Sequence, residues 1–296
     1  MNIPASTDSD PVELARAAET LGYDFVSASD HPCGTNPTRE TWTMLTWIAA
    51  STTRIRVATR VLGVPYRPPA IVAKMAETLD RLSSGRLILG LGGGYSDAEF
   101  RAFGLTTPTP REKVDGLEEA IQIIRGLWAQ PEFSFPGRLY RTEDADLEPK
   151  PAHHIPIWLG TFGDRALRVT GRHADGWIPS LGYVPDDELL AMRRKVLAAG
   201  GSNDQDFTCA LNLTIHVGGR PDPARPELVA GTAEQIAERL RGVHQGRLQR
   251  LQRHHAPGPP GPAGADRHRS APPAARLARR SLVRCACWRR VPAGGS

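Results

Sequence analysis

Two residues with chemistry to offer stand together just past the end of a short strand, where Asp24-Phe25-Val26-Ser27-Ala28 leads into Ser29-Asp30-His31-Pro32. A carboxylate beside an imidazole can set its tautomer and raise its basicity, which makes His31 a candidate general acid or base and Asp30 its partner. The plainer alternative is that Asp30 caps the following turn and His31 is a satisfied polar residue at a strand end. A second candidate is Gly92-Gly93-Gly94, which closes the apolar strand Leu87 to Leu91; glycines there let backbone approach a ligand. They do not make a dinucleotide fingerprint. Tyr95 stands where the third glycine would be, and Lys113, Val114 and Asp115, about 20 residues on, open a polar helix.

Other reactive side chains read as bland. The pairs His153-His154 and His254-His255 are adjacent, a spacing that gives a metal no bidentate face in a helix or strand. Cys33, Cys209, Cys285 and Cys287 are scattered, and Cys285-Ala286-Cys287 is too tight for a usual zinc pair, so neither a metal nor a disulfide framework is expected. Asp115, Glu118 and Glu119 fall on the polar face of a long helix, and Trp42, Trp47, Trp128 and Trp158 are expected to fill space between helices and sheet.

The elements that must position these residues alternate along the chain. Asp10-Pro11-Val12-Glu13 opens a helix that Gly22 is placed to end. After the strand at residues 24–28 come a helix from Thr41 to Ser51, a strand Ile55 to Thr59, an amphipathic helix, the strand Leu87 to Leu91 and a long helix Arg111 to Trp128. Residues Ala129 to Ala152, rich in Pro, Gly and charge, read as an excursion. The pattern resumes with a strand Ile155 to Leu159, a helix from Asp164, a short strand Asp175 to Ile178, a helix Asp186 to Ala199, a strand Phe207 to Val217 and a helix opened by the capping box at Thr232 and Gln235. Met1 to Pro4 could supply one more strand. About seven βα units in one chain suggest an α/β fold of the TIM-type (β/α)8 barrel kind.

Charge divides the chain. The whole carries +5, but from Gln245 to Ser296 eleven Arg face one acidic residue, Asp266, so this tail carries +10 and residues 1–244 carry −5. The body is mildly acidic, without the basic face of a nucleic-acid binder. It has no apolar run of about 18 residues and no charged-then-apolar start, so the cytoplasm is the expected location.

Taken in order, Leu21-Gly22-Tyr23-Asp24 with Ser29-Asp30-His31-Pro32, Arg60-Val61-Leu62 with Pro65-Tyr66-Arg67, Leu79-Asp80-Arg81-Leu82-Ser83-Ser84-Gly85-Arg86-Leu87 with Leu89-Gly90-Leu91-Gly92, Pro156-Ile157-Trp158-Leu159-Gly160 and Ala174-Asp175-Gly176-Trp177 resemble the bacterial luciferase-like monooxygenase superfamily. The resemblance covers roughly residues 10–243. Among its branches the chain is most similar to actinobacterial oxidoreductases that use the deazaflavin coenzyme F-420 (F420), with FMN-dependent members the near alternative. It implies a barrel with the flavin-like ring at its C-terminal mouth and a bulge after the third strand, where the bond Arg60-Val61 is a non-prolyl cis peptide behind the ring. It also implies that Asp30 and His31 lie beside the deazaflavin, with His31 the proton carrier. Gly92, Gly93 and Gly94 with Gly160, Thr161, Phe162 and Gly163 would let the cofactor approach, the second group holding phosphate at a helix start.

The resemblance implies an oxidoreductase passing hydride between F420 and a small organic substrate. An FMN monooxygenase using molecular oxygen and a barrel without turnover are the alternatives, and a homodimer stays open. Substrate recognition would fall to the loops Cys33 to Arg39, Ala129 to Ala152 and Leu181 to Pro185. Residues 1–244 are the expected barrel, incomplete at its carboxy end, and 245–296 a tail without structure. Pro257-Gly258-Pro259-Pro260-Gly261-Pro262 cannot build a strand or core helix where the family continues with its closing unit. Such Arg, Pro, Ala and Gly content is what GC-rich DNA gives in a shifted frame, which puts a frameshift near Gln245 first. A basic extension for nucleic acid or anionic surfaces is the rival.

Overall fold

The computed structural model describes residues 1–181, 184–201, 207–222, 224–225, 228–244 and 282–287. Helix α1 (Pro11–Thr20) begins where Asp10 accepts the N–H groups of Val12 and Glu13 and a proline fills the first position. Strand β1 (Phe25–Ala28) follows, then α2 (Thr41–Ser51), capped by the Glu40 carboxylate. Next come β2 (Arg56–Thr59), β3 (Leu62–Gly63), α3 (Pro69–Leu82) and β4 (Leu87–Gly92). Beyond them lie a short helix α4 (Asp97–Ala102) and the long α5 (Pro110–Ala129), which opens on a complete capping box between Thr109 and Glu112. The excursion after α5 is an antiparallel hairpin, β5 (Phe133–Pro136) with β6 (Arg141–Ala145), standing apart from the main sheet. The remainder runs β7 (Ile157–Leu159), α6 (Asp164–His173), β8 (Gly176–Trp177), α7 (Asp186–Gly200), β9 (Thr208–Val217), β10 (Leu228–Gly231) and α8 (Ala233–His244).

Parallel pairing steps through the chain in order, β1–β2–β4–β7–β8–β9–β10. Met1 to Ile3 takes the place before β1: Asn2 bridges Ser27 in parallel, the Ile3 N–H donates to the Ser27 carbonyl at 2.7 Å, and the Ser27 N–H donates to the Met1 carbonyl at 2.8 Å. Strands neighbouring each other in sequence order, with helices between, are the winding of a TIM barrel. The strands β1, β4 and β7 are buried along their whole length, as expected when both faces of a parallel sheet are covered. Among the described residues no ladder joins Met1–Ile3 to the far end of the sheet. Within the tail, β11 (Leu282–Cys287) is a strand lying antiparallel on β9 over six residues. It occupies an edge that would otherwise expose unpaired N–H and C=O groups. The rest of 245–296 lies outside the described residues. No described helix is long and apolar enough to cross a membrane.

The bulge comes from a slip in register between β2, β3 and β4. Ala58 pairs with Ile88 and Leu62 with Leu91, so one strand advances four residues while its partner advances three. Gly90 makes the crossing feasible, because a Cβ there would lie 1.9 Å from the Thr59 carbonyl oxygen. The Thr59 hydroxyl takes over the ladder, donating to the Gly90 carbonyl at 2.7 Å and accepting the Gly90 N–H at 2.8 Å. Arg60 and Val61 fall between the two stretches paired with β4, Arg60 still donating its N–H to the Ala28 carbonyl of β1 at 2.7 Å, and the Arg60-Val61 bond is cis, where the resemblance placed it.

At the opposite end, Glu19 ties α1 to the loop before β2 by accepting the N–H groups of Thr53, Arg54 and Ile55 at 3.1, 2.6 and 2.8 Å. These bonds, Ile55's foremost, hold its pKa below the ordinary Glu value. Glu19→Gln should lower the unfolding free energy at neutral pH by about 1 kcal/mol. Because folded Glu19 titrates below its unfolded form, the stabilisation is present above the unfolded pKa and is lost as pH falls through the folded one. Urea melts should therefore show the gap between the proteins closing below about pH 4; a gap of constant size down to pH 3 would mean that the charge is not its source.

Candidate functional site

A cavity of about 500 Å³ opens at the C-terminal ends of the strands, the end at which barrels carry their chemistry. Asp30, His31, Arg60, Val61, Gly92, Gly93, Gly94, Gly160 and Phe162 all line it, joined by Gly63, Tyr66, Tyr95, Ile178, Ser180 and Val184. Two sequence candidates stand off its wall. Thr161 is buried with its hydroxyl on that of Thr170 at 2.6 Å, and its carbonyl accepts the Trp177 indole N–H. Gly163 is the N-cap of α6.

Glycine serves here a purpose that the sequence did not suggest. A Cβ on Gly92 would lie 2.6 Å from a Val61 methyl, and one on Gly160 would lie 3.2 Å from both. These two positions lack side chains so that Val61, lifted by the bulge, can stand between them as an apolar floor. Gly94 has φ +87° and a Cβ there would collide with Phe100, so it shapes the turn into α4. The Gly160 N–H is spent on the Leu91 carbonyl.

Electrostatics separate Asp30 from His31. The Asp30 side chain is 1% exposed and paired with Arg67 at 2.9 and 3.2 Å, and it also accepts the Gly63 N–H at 3.1 Å. Arg67 reaches on to Glu40 at 2.6 Å. Burial disfavours the Arg67 charge, but the bonds to Asp30 and Glu40 outweigh it and its pKa is raised. Likewise burial pushes the Glu40 carboxyl up, while the N–H groups of Thr43 and Trp42 and the Arg67 guanidinium pull it lower overall. Asp30 is thus a structural anion that pins the β3 turn. The expectation that it is the carboxylate partner of the imidazole is corrected, because its oxygens are taken by Arg67 and Gly63.

The carboxylate on His31 is Glu99 of α4, whose Oε1 lies 3.0 Å from His31 Nδ1, while the Tyr66 hydroxyl donates to Oε2 at 2.8 Å. Burial first, and then the bond to Glu99, raise the Tyr66 pKa, so the phenol keeps its proton and donates. Neither residue carried a role in the sequence reading. Ser96-Asp97-Ala98-Glu99 has the spacing of a capping box, and Ser96 does accept the Glu99 N–H, but the box would turn the Glu99 carboxylate back on its own helix. Only the fold, by bringing positions 31, 66 and 99 together, turns it outward.

A larger hollow of about 650 Å³ lies beside α1 and α2, but its charged groups are committed elsewhere. Asp10 caps α1, Glu40 caps α2, and Arg39 donates to the Ser6 carbonyl. Among the described residues no cluster of His, Cys, Asp and Glu is arranged to hold a metal ion.

The luciferase-like monooxygenase family model matches residues 6–267, and the chain belongs to that family. An F420-dependent glucose-6-phosphate dehydrogenase of Nakamurella multipartita is 36% identical over 208 residues, covering 67% of this chain and 60% of that protein. An F420-dependent hydroxymycolic acid dehydrogenase of Mycobacterium tuberculosis is 38% identical over 233 residues, covering 76% of this chain and 64% of that protein. The chain thus spans a little over three fifths of the length of these curated relatives. In fold it is similar to an F420-dependent secondary alcohol dehydrogenase solved with an F420–acetone adduct, with a TM-score of 0.70, 18% identity and coverage of 83% and 89% of the two chains. At that identity the likeness speaks for the barrel alone.

The buried pair beneath the site is open to direct test. Asp30→Ala removes the buried carboxylate from the Arg67 guanidinium, leaving it only the more exposed Glu40, and should cost about 3 kcal/mol of stability. Adding Arg67→Met should recover a large part of that loss in denaturant melts. If the double variant is as unstable as the sum of the two singles, the ion pair is not what holds the turn.

Proposed function

We propose that the chain is an F420-dependent oxidoreductase, binding the deazaflavin in the cavity at the barrel mouth and passing hydride between it and a small organic substrate. The observation that carries this reading is the cavity itself, in which an imidazole backed by a carboxylate stands at the rim of an apolar floor made by Val61. The names of curated relatives such as the F420-dependent glucose-6-phosphate and hydroxymycolic acid dehydrogenases support the choice of cofactor.

The residues present suit such a group. A flat, largely apolar ring system calls for apolar support without an unpaired buried charge. Val61, Phe162, Ile178 and Val184 offer the first. Asp30 is neutralised by Arg67, and Arg60 donates to Asn2 at 3.0 Å. Val61 would carry the ring, with Gly92 and Gly160 keeping the floor low on either side of it, and Gly93 and Gly94 would let backbone come close to the side chain. When bound, F420 supplies a carbon centre, C5, that takes or gives hydride. His31 holds and moves the proton that accompanies oxidation or reduction of the substrate, and it does so through Nε2, because Nδ1 is engaged. The apolar walls keep water from competing.

Side-by-side titrations of the purified chain should give a Kd for F420 at least about tenfold below that for FMN, a difference of about 1.4 kcal/mol. Equal or reversed affinities would transfer the assignment to an FMN monooxygenase, and binding of neither would leave a barrel without turnover. His31→Asn keeps the shape and some hydrogen bonding but removes the proton carrier. Turnover should fall by roughly a hundredfold while F420 affinity is retained. Weaker binding with unchanged turnover per bound cofactor would reduce His31 to a positioning role.

A further inference from the structure

We propose that Glu99 is the positioning residue for His31, fixing the imidazole as the tautomer with its proton on Nδ1, and that Tyr66 in turn orients Glu99. The inference rests on the reading of His31 as proton carrier and assigns what makes that role work. Nothing in the chain near His31 suggests Glu99, which is 68 residues away.

Three observations carry it. First, the geometry is a relay in which each carboxylate oxygen has one partner: Oε1 faces His31 Nδ1 at 3.0 Å, and Oε2 accepts from the Tyr66 hydroxyl at 2.8 Å. A carboxylate only accepts hydrogen bonds, so it selects the ring form carrying hydrogen on Nδ1 and leaves the lone pair on Nε2. The two neutral tautomers of imidazole are close in free energy, so a single charge-assisted bond is enough to choose between them.

Second, Glu99 is held from its own side. The neighbouring Phe100 is fully buried, its ring packs on that of Tyr66 at 4.9 Å between centroids, and the Lys113 ammonium lies 5.7 Å from it. Ser96 caps the same turn. The Glu99 side chain is 14% exposed against 53% for His31, so the carboxylate is the anchored partner and the imidazole the accessible one.

Third, the other charged groups around His31 are committed elsewhere. Asp30 is taken by Arg67 and Gly63, and Glu40 by Arg67 and the start of α2. Asp30 therefore does not compete for Nδ1, although it is adjacent in sequence. Exposed ion pairs add little to stability. The consequence of this pair falls on ring orientation and proton position.

The test reads the tautomer and needs no cofactor. Ring nitrogen-15 shifts of His31 in the full chain, assigned by their loss in His31→Asn, should show the Nδ1–H form above the titration of the ring. Glu99→Ala should convert His31 to a mixture or to the Nε2–H form. Glu99→Gln, whose amide oxygen can still accept from Nδ1, should keep the original form, and Tyr66→Phe should weaken it. With F420 loaded, Glu99→Ala should lower kcat by about tenfold, with KM and cofactor Kd within about twofold and Glu99→Gln recovering most of the loss. An unchanged tautomer in Glu99→Ala overturns the proposal even if F420 binds and turns over. A switched tautomer in a chain that binds no F420 supports the pairing and removes the functional reading instead.

Discussion

The site depends on one displaced residue in a parallel sheet. Between Ala58 and Leu62 the chain carries one residue more than β4 can pair, and Thr59 and Gly90 absorb it by side-chain hydrogen bonds where a backbone ladder would otherwise continue. Thr offers a hydroxyl that can both donate and accept, and Gly offers the missing Cβ that lets a carbonyl pass. The surplus emerges as Arg60 and Val61 at the barrel mouth, and Gly92 and Gly160 leave room for the valine. Remove any of these and the floor of the cavity has no reason to be flat.

Charge in this barrel is used to hold backbone as much as to act. Asp30, Glu19 and Glu40 all accept N–H groups of neighbouring turns, and Arg86 donates to the carbonyls of Ala49, Ile55 and Ser83 where α2, β2 and β4 meet. Asp30, the buried one among them, is bonded on several sides, which is what lets a charge persist away from water. An accessible imidazole on a fixed carboxylate occurs more than once, as in His153 on Asp80, and of these two pairs it is His31 on Glu99 that lines the cavity at the barrel mouth.

The carboxy-terminal edge of the sheet is finished differently from the rest. Seven segments pair in parallel and in sequence order, whereas the strand from the Arg-rich tail lies antiparallel on β9. An edge strand is satisfied by any extended backbone of matching length, because the ladder requires N–H and C=O groups and not particular side chains. A tail segment can thus cover β9 without the pattern of a closing βα unit.

Local signals in the chain determined most of the elements. Caps at Asp10 and Thr232, apolar runs at Leu87 to Leu91 and Phe207 to Val217, and the alternation of the two periods were readable because helix caps and strand burial depend on neighbours a few residues away. The resemblance also pointed to the bulge at Arg60 and Val61, and nine of the residues it singled out lie on the wall of the cavity. Shorter elements escaped: β3, α4 and β10 are too brief to show a period. What only the tertiary structure decided was partnership. Asp30 is adjacent to His31 in sequence, yet its carboxylate is turned into the protein toward Arg67, while Glu99 reaches His31 from a helix 68 residues on. Sequence proximity sets which residues leave a strand end together, but successive side chains point to different sides, so which of them share a hydrogen bond is settled only when distant elements converge.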